Sequence, residues 1–570
     1  MTTPNDHDNP PAESSPNPAA PHPGYPLADA PHTIPVVGRP TPYALAPDPL
    51  RPDSDGDGFS SPRPEHRRYV GQILILSATA LILGVTLRMP TQLEANDISR
   101  WCTVWSLIER GTYAIDDCPW QSKTQDKVKK PAKLAAPGPE ADPLKRLEYA
   151  LAPQSWKEGE AVDHFYSSKP PLLPTLIAGL VYPARVWTGV PLDRVVEQRR
   201  LERFVEKDVP GEPGKTQFVK ETPPPVPWPA YVFYFKPVII LLNIVPMLIV
   251  LVLYARLLDR YADDDWSWFL CLFAGAFGTY LFAFEQTLNN HTVAAASAFG
   301  ALYGFQAIWS GRSRSRRLFA GVGFLGAFTA CNEIPALLFL VLLFVWLFVR
   351  FPGRCVRWFV PGAMVPLVAF LITQFLAFGQ FRPVYEEFGT KSYQYEGSYW
   401  NTPLEMDWFN LRDKKFVDGR EVEVLKEPYE VYLFHMTLGH HGVFSLTPIF
   451  LFSIFGTLRE IVKRGRLSAV GWMTLLLTVA MLAFYTWNPK ARNYGGSTQG
   501  LRWLFWLIPF WLMMLPAGVV GGARRPVLRF VTLALLAISV VSVGYAVRNP
   551  WSHPWLLDAL EHLDLYPLVR

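Results

Sequence analysis

Four acidic side chains lie close together in the chain, a few residues after its first long apolar run: Glu94, Asp97, Asp116 and Asp117. Burying a carboxylate beside a bilayer is unfavourable unless the group has a partner or a chemical role. In a pocket shaded from water, Asp97 is a candidate general base that removes a proton from a hydroxyl group. A divalent cation bound by Asp97 with Asp116 or Asp117 is an optional addition.

The residues after Asp97 have helical apolar spacing. The apolar positions that would share one helix face are Ile98, Trp101, Val104, Trp105 and Ile108. This spacing predicts an amphipathic helix along the membrane surface, with Asn96 and Asp97 at its start. An aspartate in this position is often only an N-cap, which is the structural alternative to catalysis. Glu94 and Asn96 are candidate substrate-binding residues beside it.

Lys169, in the segment YSSKPPLLP, is the second candidate. The two prolines that follow stiffen the backbone, and a flexible ammonium group there can hold a phosphate near the bilayer surface. The alternative is an interfacial lysine whose charge reaches water while its methylenes stay in the apolar layer.

Two later polar motifs precede apolar runs. TLNNHT supplies Asn289, Asn290 and His291, candidates for binding sugar hydroxyls or a phosphate, with helix capping as the alternative. PKARNYGGSTQGLRW supplies Arg492, Tyr494 and Arg502. Arginine offers a planar fork that fits phosphate oxygens, and glycines let the backbone approach a ligand closely. Arg492 and Arg502 are therefore candidates for phosphate binding and Tyr494 for substrate contact, with a plain turn as the alternative.

The composition indicates a membrane protein. Of the 570 residues, 50% are hydrophobic and only 18% are charged, and apolar residues gather in blocks of near-bilayer length. The net charge of +5 is small, and the basic residues fall in short clusters between apolar runs, so nucleic acid is not expected as a partner. Residues 1–66 are rich in proline, alanine, aspartate and serine, which predicts a disordered cytoplasmic tail.

Eleven apolar runs predict an all-α polytopic fold over residues 67–547. The runs are about Val70–Leu87, Tyr231–Tyr254, Trp266–Phe284, His291–Trp309, Leu318–Ala330, Pro335–Val349, Phe359–Phe378, Val443–Phe455, Leu467–Tyr485, Leu501–Val520 and Val531–Val547. Basic clusters occur in alternate connections between the runs. The positive-inside rule places these clusters and the N-terminus in the cytoplasm.

A further apolar segment, Lys169–Trp187, decides which loops face outside. If it crossed the bilayer, the five later basic clusters would all become external. It is therefore predicted to be an interfacial or re-entrant helix, broken by its four prolines, within a large external loop (89–229). A second external loop (379–441) and a short external tail (548–570) follow. This arrangement predicts a site on the outer face of the cytoplasmic membrane.

Two pairs of residues add smaller expectations. Cys102 and Cys118 share the first predicted external loop, and they could form a disulfide if that loop faces an oxidising compartment. The adjacent His440 and His441 are interpreted as polar lining, because neighbouring helix positions point about 100° apart and do not share a metal ion without other ligands.

The order of the motifs resembles a known family. A first span is followed by EANDISR, a Gly-x-Tyr element, KPPL and many further spans. This order is similar to that of the C-type glycosyltransferases (GT-C), in particular the lipid A aminoarabinose and protein O-mannosyl transferases. The resemblance implies that Asp97 is the catalytic base, although the family usually has Asp followed by Glu and this chain has Ile98 there. Glu94 is the alternative base. The resemblance also implies that Lys169 positions the donor phosphate.

The resemblance therefore implies an enzyme that transfers a sugar from a polyprenyl phosphate to a glycan, lipid or protein, with inversion and without a required cofactor. A transporter or lipid flippase is the alternative function, and a structural membrane subunit is a second one. A transporter would place ionisable residues near the middle of its spans, whereas here they gather in predicted external loops.

Overall fold

A computed structural model describes most of the chain beyond the N-terminal region. The described residues are 65–88, 94–131, 134, 136–138, 140–158, 162–198, 203–208, 216–222, 226–387, 391–393, 395–398, 414–417, 420–423, 428–487, 494–563 and 565. The predicted disordered tail lies outside these residues except at its end. Glu65 and His66, the last two residues of the predicted tail, already belong to the first helix.

Helices dominate the described residues. They are α1 (Glu65–Arg88), α2 (Ala95–Glu109), α3 (Pro143–Leu151), α4 (Leu172–Thr188), α5 (Tyr231–Ile239), α6 (Val245–Tyr261), α7 (Asp265–Phe277), α8 (Tyr280–Phe284), α9 (His291–Trp309), α10 (Arg316–Asn332), α11 (Leu337–Arg350), α12 (Pro352–Arg354), α13 (Val360–Phe378), α14 (Tyr429–Thr437), α15 (Val443–Leu446), α16 (Leu451–Val462), α17 (Ser468–Trp487), α18 (Ile508–Gly518), α19 (Pro526–Arg548) and α20 (Trp555–His562). The last of these lies in the predicted external tail.

Four small antiparallel sheets accompany the helices, and the all-α prediction did not include them. Each sheet has two strands: β1 (Lys127–Pro131) with β2 (Asp163–Ser167), β3 (Val195–Gln198) with β6 (Val226–Pro229), β4 (Arg203–Asp208) with β5 (Thr216–Glu221), and β7 (Lys414–Val417) with β8 (Arg420–Glu423). All of them fall in the two long loops that were predicted to be external. The β1–β2 sheet is the one that builds the candidate site.

Six helical segments of the described chain are long and apolar enough to cross a membrane. They are Glu65–Arg88, Tyr231–Tyr261, Asp265–Phe284, Pro352–Phe378, Ser468–Trp487 and Pro526–Arg548. Each coincides with one of the eleven predicted runs. The other five runs fall on helices that are shorter, less apolar or interrupted, and their crossing of a bilayer stays a prediction.

The apolar segment after Lys169 forms one uninterrupted helix, α4, which ends at Gly189 in a left-handed conformation. The prediction that its prolines break it is wrong for Pro174 and Pro183. Pro174 occupies the first turn, where the backbone N–H has no partner within the helix in any case. Pro183 lies inside the helix, which continues past it to Thr188.

Helix α2 is more deeply enclosed than an amphipathic surface helix. Every residue from Asp97 to Ser106 is buried, so the predicted exposed polar face is absent over this stretch. Trp101 packs edge to face against Phe235, with ring centroids 5.3 Å apart. A disulfide between Cys102 and Cys118 joins the helix to the loop that follows it. The helix thus forms the centre of the small apolar core beneath the candidate site.

Candidate active site

Asp97 is fixed at the start of α2. Glu94 is the N-cap, and its side chain and that of Asp97 each accept a hydrogen bond from the other's main-chain N–H, as in a capping box. The Glu94 N–H lies 3.3 Å from Asp97 Oδ2. Asp97 is therefore not the N-cap itself, but its Oδ2 takes part in capping as the third residue of the helix. The other oxygen, Oδ1, accepts a hydrogen bond of 2.6 Å from the main-chain N–H of Leu288, which lies 191 residues further along the chain.

The surroundings of Asp97 bring its carboxyl group close to neutrality. The residue has no exposed surface, and burial raises its pKa to about 7. Burial has the largest effect, while the Leu288 N–H and the charge of Arg100 favour the carboxylate and limit the rise. A carboxyl group with this pKa exchanges a proton readily near pH 7, which suits a general base.

Asp126 and Lys169 meet because β1 and β2 pair. The antiparallel register sets Lys127 opposite Ser167, so the residue before β1 lies beside those that follow β2. The Ser168 N–H donates to the Asp126 carbonyl oxygen (3.0 Å), and Lys169 Nζ lies 3.1 Å from Asp126 Oδ1. Each side chain of this ion pair is 20% exposed. Lys169 is thus held by a carboxylate instead of reaching for bulk water.

The hydroxyl of Ser99 ties this sheet to α2. It lies 2.5 Å from the Asp126 carbonyl oxygen, to which it donates, and 2.6 Å from the hydroxyl oxygen of Ser167. Ser99 stands two residues after Asp97, and Ser167 stands two residues before Lys169. The candidate base and the candidate phosphate ligand are therefore parts of one hydrogen-bonded frame.

Arg100 occupies the centre of this frame. Its guanidinium donates to the carbonyl oxygens of Asn96 (3.2 Å) and Leu288 (3.4 Å), and to the side-chain oxygen of Asn290. Arg100 Nη1, which makes both of the carbonyl contacts, also lies 3.3 Å from the side-chain oxygen of Asn96. Asn96 and Asn290 are thus bound to a buried arginine, which orients the two predicted substrate-binding amides.

The TLNNHT motif joins the cluster through Glu333. The Asn290 amide donates to Glu333 Oε1 (2.7 Å), and His291 Nδ1 lies close to the same oxygen. Helix capping, the alternative interpretation, is the role of the preceding residue. The side-chain oxygen of Asn289 accepts a hydrogen bond from the Thr292 N–H at 2.8 Å. The side chains of Asn290 and His291 therefore do not cap the helix, and they belong to the charged cluster.

Arg502 approaches the same cluster from the C-terminal part of the chain. Its guanidinium lies over the ring of Trp551, with the central carbon 4.9 Å from the ring centroid. A Cβ added at Gly495 would lie 3.2 Å from Arg502 Cγ, so this glycine makes room for the arginine side chain. Arg502 Nε and Nη1 are buried and have no hydrogen-bond partner among the described residues. Two donors are thus available to an anion.

Three cations, Lys169, Arg100 and Arg502, interact electrostatically with Asp126. Burial lowers the pKa of Lys169 to about 8; Asp126 opposes this change, and the charges of Arg100 and Arg502 add to it. Burial also lowers the pKa of Arg502 to about 10, with the charge of Asp126 again opposing. Burial alone would raise the pKa of Asp126, but Lys169 and Arg502 outweigh it and lower that pKa. Asp126 therefore compensates part of the positive charge of the cluster.

The remaining predicted site residues have other surroundings. Tyr494 adopts a left-handed backbone (φ 53°), and its ring stacks on that of His441 with centroids 4.9 Å apart. His440 packs against the same ring at 5.0 Å, so these two histidines form an aromatic cluster with Tyr494, and their role as polar lining stays a prediction. Arg492 lies outside the described residues.

Asp116 and Asp117, the acidic residues suggested as optional metal ligands, each contact a different side chain. Asp116 Oδ2 lies 3.0 Å from His164 Nδ1, and Asp116 Oδ1 accepts from the Phe165 N–H at 3.1 Å. Asp117 pairs with Arg110 at 3.3 Å on the surface. Among the described residues, no group of three histidine, cysteine or acidic side chains is arranged to hold a metal ion.

The sequence motifs did not identify four members of the cluster as site residues: Arg100, Asp126, Glu333 and Trp551. Arg100 is the arginine of the EANDISR motif, so spacing alone could have suggested it. Asp126 could have been found only by predicting the β1–β2 pair. Glu333 and Trp551 come from distant loops, and their sequence surroundings carry no comparable signal.

In the part of the chain that the structure describes, the fold is mostly helical, six helices are able to cross a membrane, and a buried charged cluster is assembled from α2 and later segments of the chain. A comparison with protein-family models finds no model that matches this chain, and a comparison with curated proteins finds no match.

Proposed function

We propose that this chain is a membrane glycosyltransferase of the GT-C type, with eleven spans and an active site on the extracytoplasmic face. It would move a sugar from a polyprenyl phosphate to a hydroxyl or amine of an acceptor glycan, lipid or protein. One observation carries the proposal: Asp97, a buried carboxyl group with a pKa of about 7, shares a cluster with the cations Lys169 and Arg502. A base and an anion site in one pocket are what this transfer requires.

The reaction is a single displacement. The acceptor oxygen attacks the anomeric carbon as Asp97 takes the acceptor proton. A new bond forms between the acceptor oxygen and the anomeric carbon, while the bond from that carbon to the phosphate oxygen breaks. The bonding electron pair leaves with the polyprenyl phosphate, and attack from the opposite side inverts the anomeric centre.

Lys169 and Arg502 have the chemistry to receive the departing phosphate. The buried Nε and Nη1 groups of Arg502 lack partners among the described residues, and a phosphate oxygen would satisfy them. Lys169 forms an ion pair with Asp126 and lies in the same cluster. Negative charge grows on the leaving phosphate during the reaction, so these cations stabilise the transition state more than the ground state.

The disulfide supports the assignment of the site to the outer face. Cys102 lies in the same helix as Asp97, and disulfides persist in oxidising compartments such as the periplasm. A polyprenyl donor would also explain the apolar helices, because its chain would stay in the bilayer while its phosphate and sugar reach the charged cluster.

The test is sugar transfer by the purified protein in lipid vesicles. Radiolabelled polyprenyl-phosphate sugars are supplied as a panel, and release of free polyprenyl phosphate is measured. Asp97→Asn should lower the rate by about 10²–10⁴-fold, because it removes the base. The matched control is Asp163→Asn, the same chemical change at a carboxylate whose side chain is 48% exposed.

The outcome separates the enzyme from its alternatives. Normal membrane abundance with loss of transfer in Asp97→Asn, but not in the control, supports the enzyme. If no donor of the panel is consumed, and correctly inserted Asp97→Asn moves lipid or solute across the vesicle membrane as the unaltered protein does, the chain is a transporter or flippase.

A further inference from the structure

An apolar groove runs along the outside of the helical body, between α16 and α19. Its volume is about 470 Å³. The residues that line it are Leu451, Phe452, Phe455, Arg525, Val527, Leu528, Val531 and Leu535. Phe455 and Val527 are 64% and 75% exposed, so described parts of the protein do not cover the groove. All lining residues except one are apolar.

Arg525 is the exception, and it stands at one end of the groove. It immediately precedes α19, so the positive end of the helix dipole lies beside it. Arg524 is its neighbour, and both side chains are exposed. Neither side chain has a hydrogen bond or an acidic partner among the described residues. One end of the groove therefore carries two positive charges that are not neutralised.

Arg529 shows that this lack of partners is specific to the groove end. Its guanidinium donates to the carbonyl oxygens of Gly522 and Ala523 and lies over the ring of Trp266 at 5.4 Å. The third arginine of this basic segment is thus tied to the protein, while Arg524 and Arg525 face outward.

The dimensions of the groove fit half a bilayer. Leu535 lies ten residues after Arg525, which is about 15 Å along a helix. The hydrocarbon core of a bilayer is about 30 Å thick, so one leaflet accounts for about 15 Å. An acyl chain that starts at the headgroup level near Arg525 would reach the bilayer centre at the other end.

We propose that this groove is a binding site for an anionic phospholipid, with one acyl chain along α19 and the phosphate facing Arg524 and Arg525. The apolar walls account for the chain, and the paired arginines account for a preference for negative headgroups. The positive-inside rule places this end of the groove in the cytoplasmic leaflet, opposite the proposed active site. The site is thus distinct from the proposed catalytic pocket and does not depend on its function.

The experiment is native mass spectrometry of the full chain after equilibration with equal amounts of phosphatidylglycerol and phosphatidylcholine. The unaltered protein should retain more phosphatidylglycerol than phosphatidylcholine. Arg525→Gln should reduce the retained phosphatidylglycerol about fivefold, the factor expected for one basic residue near an anionic surface. Val531→Trp should reduce both lipids by filling the groove. Arg317→Gln, an exposed arginine at the start of α10, is the control and should leave retention unchanged.

Two further measurements keep the result decisive. Arg525→Lys should keep most of the preference, and the thermal stability of each variant shows that it is folded. Equal retention of the two lipids by the unaltered protein would overturn the proposal. So would unchanged phosphatidylglycerol in both Arg525→Gln and Val531→Trp. A dimer that dissociates in Val531→Trp would assign the groove to a second copy of the chain and would equally overturn it.

Discussion

The Asp97 carboxyl group combines a structural role with the properties that suit a general base. Oδ2 completes the capping box with Glu94, while Oδ1 accepts from the Leu288 N–H. Two main-chain donors and Arg100 stabilise the carboxylate, and complete burial opposes it. These opposing effects leave the carboxyl group half-protonated near neutral pH. The two main-chain hydrogen bonds hold its oxygens in a fixed orientation.

The pH dependence of the proposed sugar transfer should be bell-shaped, with Asp97 as its base and Lys169 as its phosphate ligand. Asp97 must be ionised, so kcat/KM rises as the pH passes through about 7. Lys169 must be protonated to bind the phosphate, so kcat/KM falls as the pH passes through about 8. The measurement is kcat/KM between about pH 5 and about pH 10, a range that covers both pKa values.

Lys169→Arg is the control for the alkaline side of this profile. Arginine stays protonated throughout this range, so the fall near pH 8 should move to higher pH while the rise near pH 7 stays in place. A rate that is constant through pH 7 would contradict the assignment of Asp97 as the base.

Asp126 forms an ion pair with Lys169 and positions it. Asp126→Asn removes the charge that opposes the lowering of the Lys169 pKa, so the alkaline fall in kcat/KM should move to lower pH. If that pKa falls by about one, the protonated fraction of Lys169 at high pH decreases up to about tenfold. Asp163→Asn, at the other end of the same sheet, removes an exposed partner of Lys129 and should leave the profile unchanged. A lowered rate with an unmoved profile would indicate only a structural role for Asp126.

At the scale of elements, local patterns predicted the helices better than the sheets. Helix α2 begins where the apolar spacing and the acidic residues placed it. The β1–β2 sheet was missed because β1 reads KVKKP, with three lysines and a proline in five residues, and its partner strand lies more than thirty residues later. Asp126 depends on that pairing, so no short motif could identify it. The spacing of residues in the sequence also gives no sign that the Leu288 N–H contacts Asp97.

Helices α10 and α13 illustrate packing that depends on small residues. A Cβ at Gly323 would lie 2.2 Å from the carbonyl oxygen of Phe359, just before α13 begins. A Cβ at Gly362 would lie 2.2 Å from the carbonyl oxygen of Ala320 in α10. The two backbones therefore approach too closely for any side chain, as small residues permit in packed membrane helices.

Gly323→Ala should consequently destabilise the protein by about 1–3 kcal/mol, because backbone atoms must move apart. Gly321→Ala is the matched control in the same helix, since a Cβ there meets nothing within 4 Å. Alanine is the better helix former by about 1 kcal/mol, so the control should be neutral or slightly stabilising. The measurement is thermal unfolding in detergent, and equal midpoints for the two variants would disprove the close contact.

At the scale of the whole molecule, sidedness decides whether the cluster can meet a lipid-linked donor outside the cell. The basic segments are predicted to be cytoplasmic, and the Cys102–Cys118 disulfide favours an oxidising compartment for α2. The native cysteines allow the sidedness to be tested by thiol labelling with little background. Cys271, Cys331 and Cys355 are buried, and the other two are paired, so the unaltered protein should react little with a thiol reagent.

Single cysteines introduced on the two predicted faces should therefore label from opposite sides. Lys145→Cys lies on the exposed surface of α3, within the predicted outer loop, and Ser315→Cys lies just before α10, within a basic segment. A membrane-impermeant maleimide should label Lys145→Cys in intact cells and Ser315→Cys only after permeabilisation. The reverse pattern would place Asp97 and Lys169 in the cytoplasm, where the proposed donor orientation and the disulfide would both be wrong. Labelling of both in intact cells would mean that the number of spans between them is even, against the predicted topology.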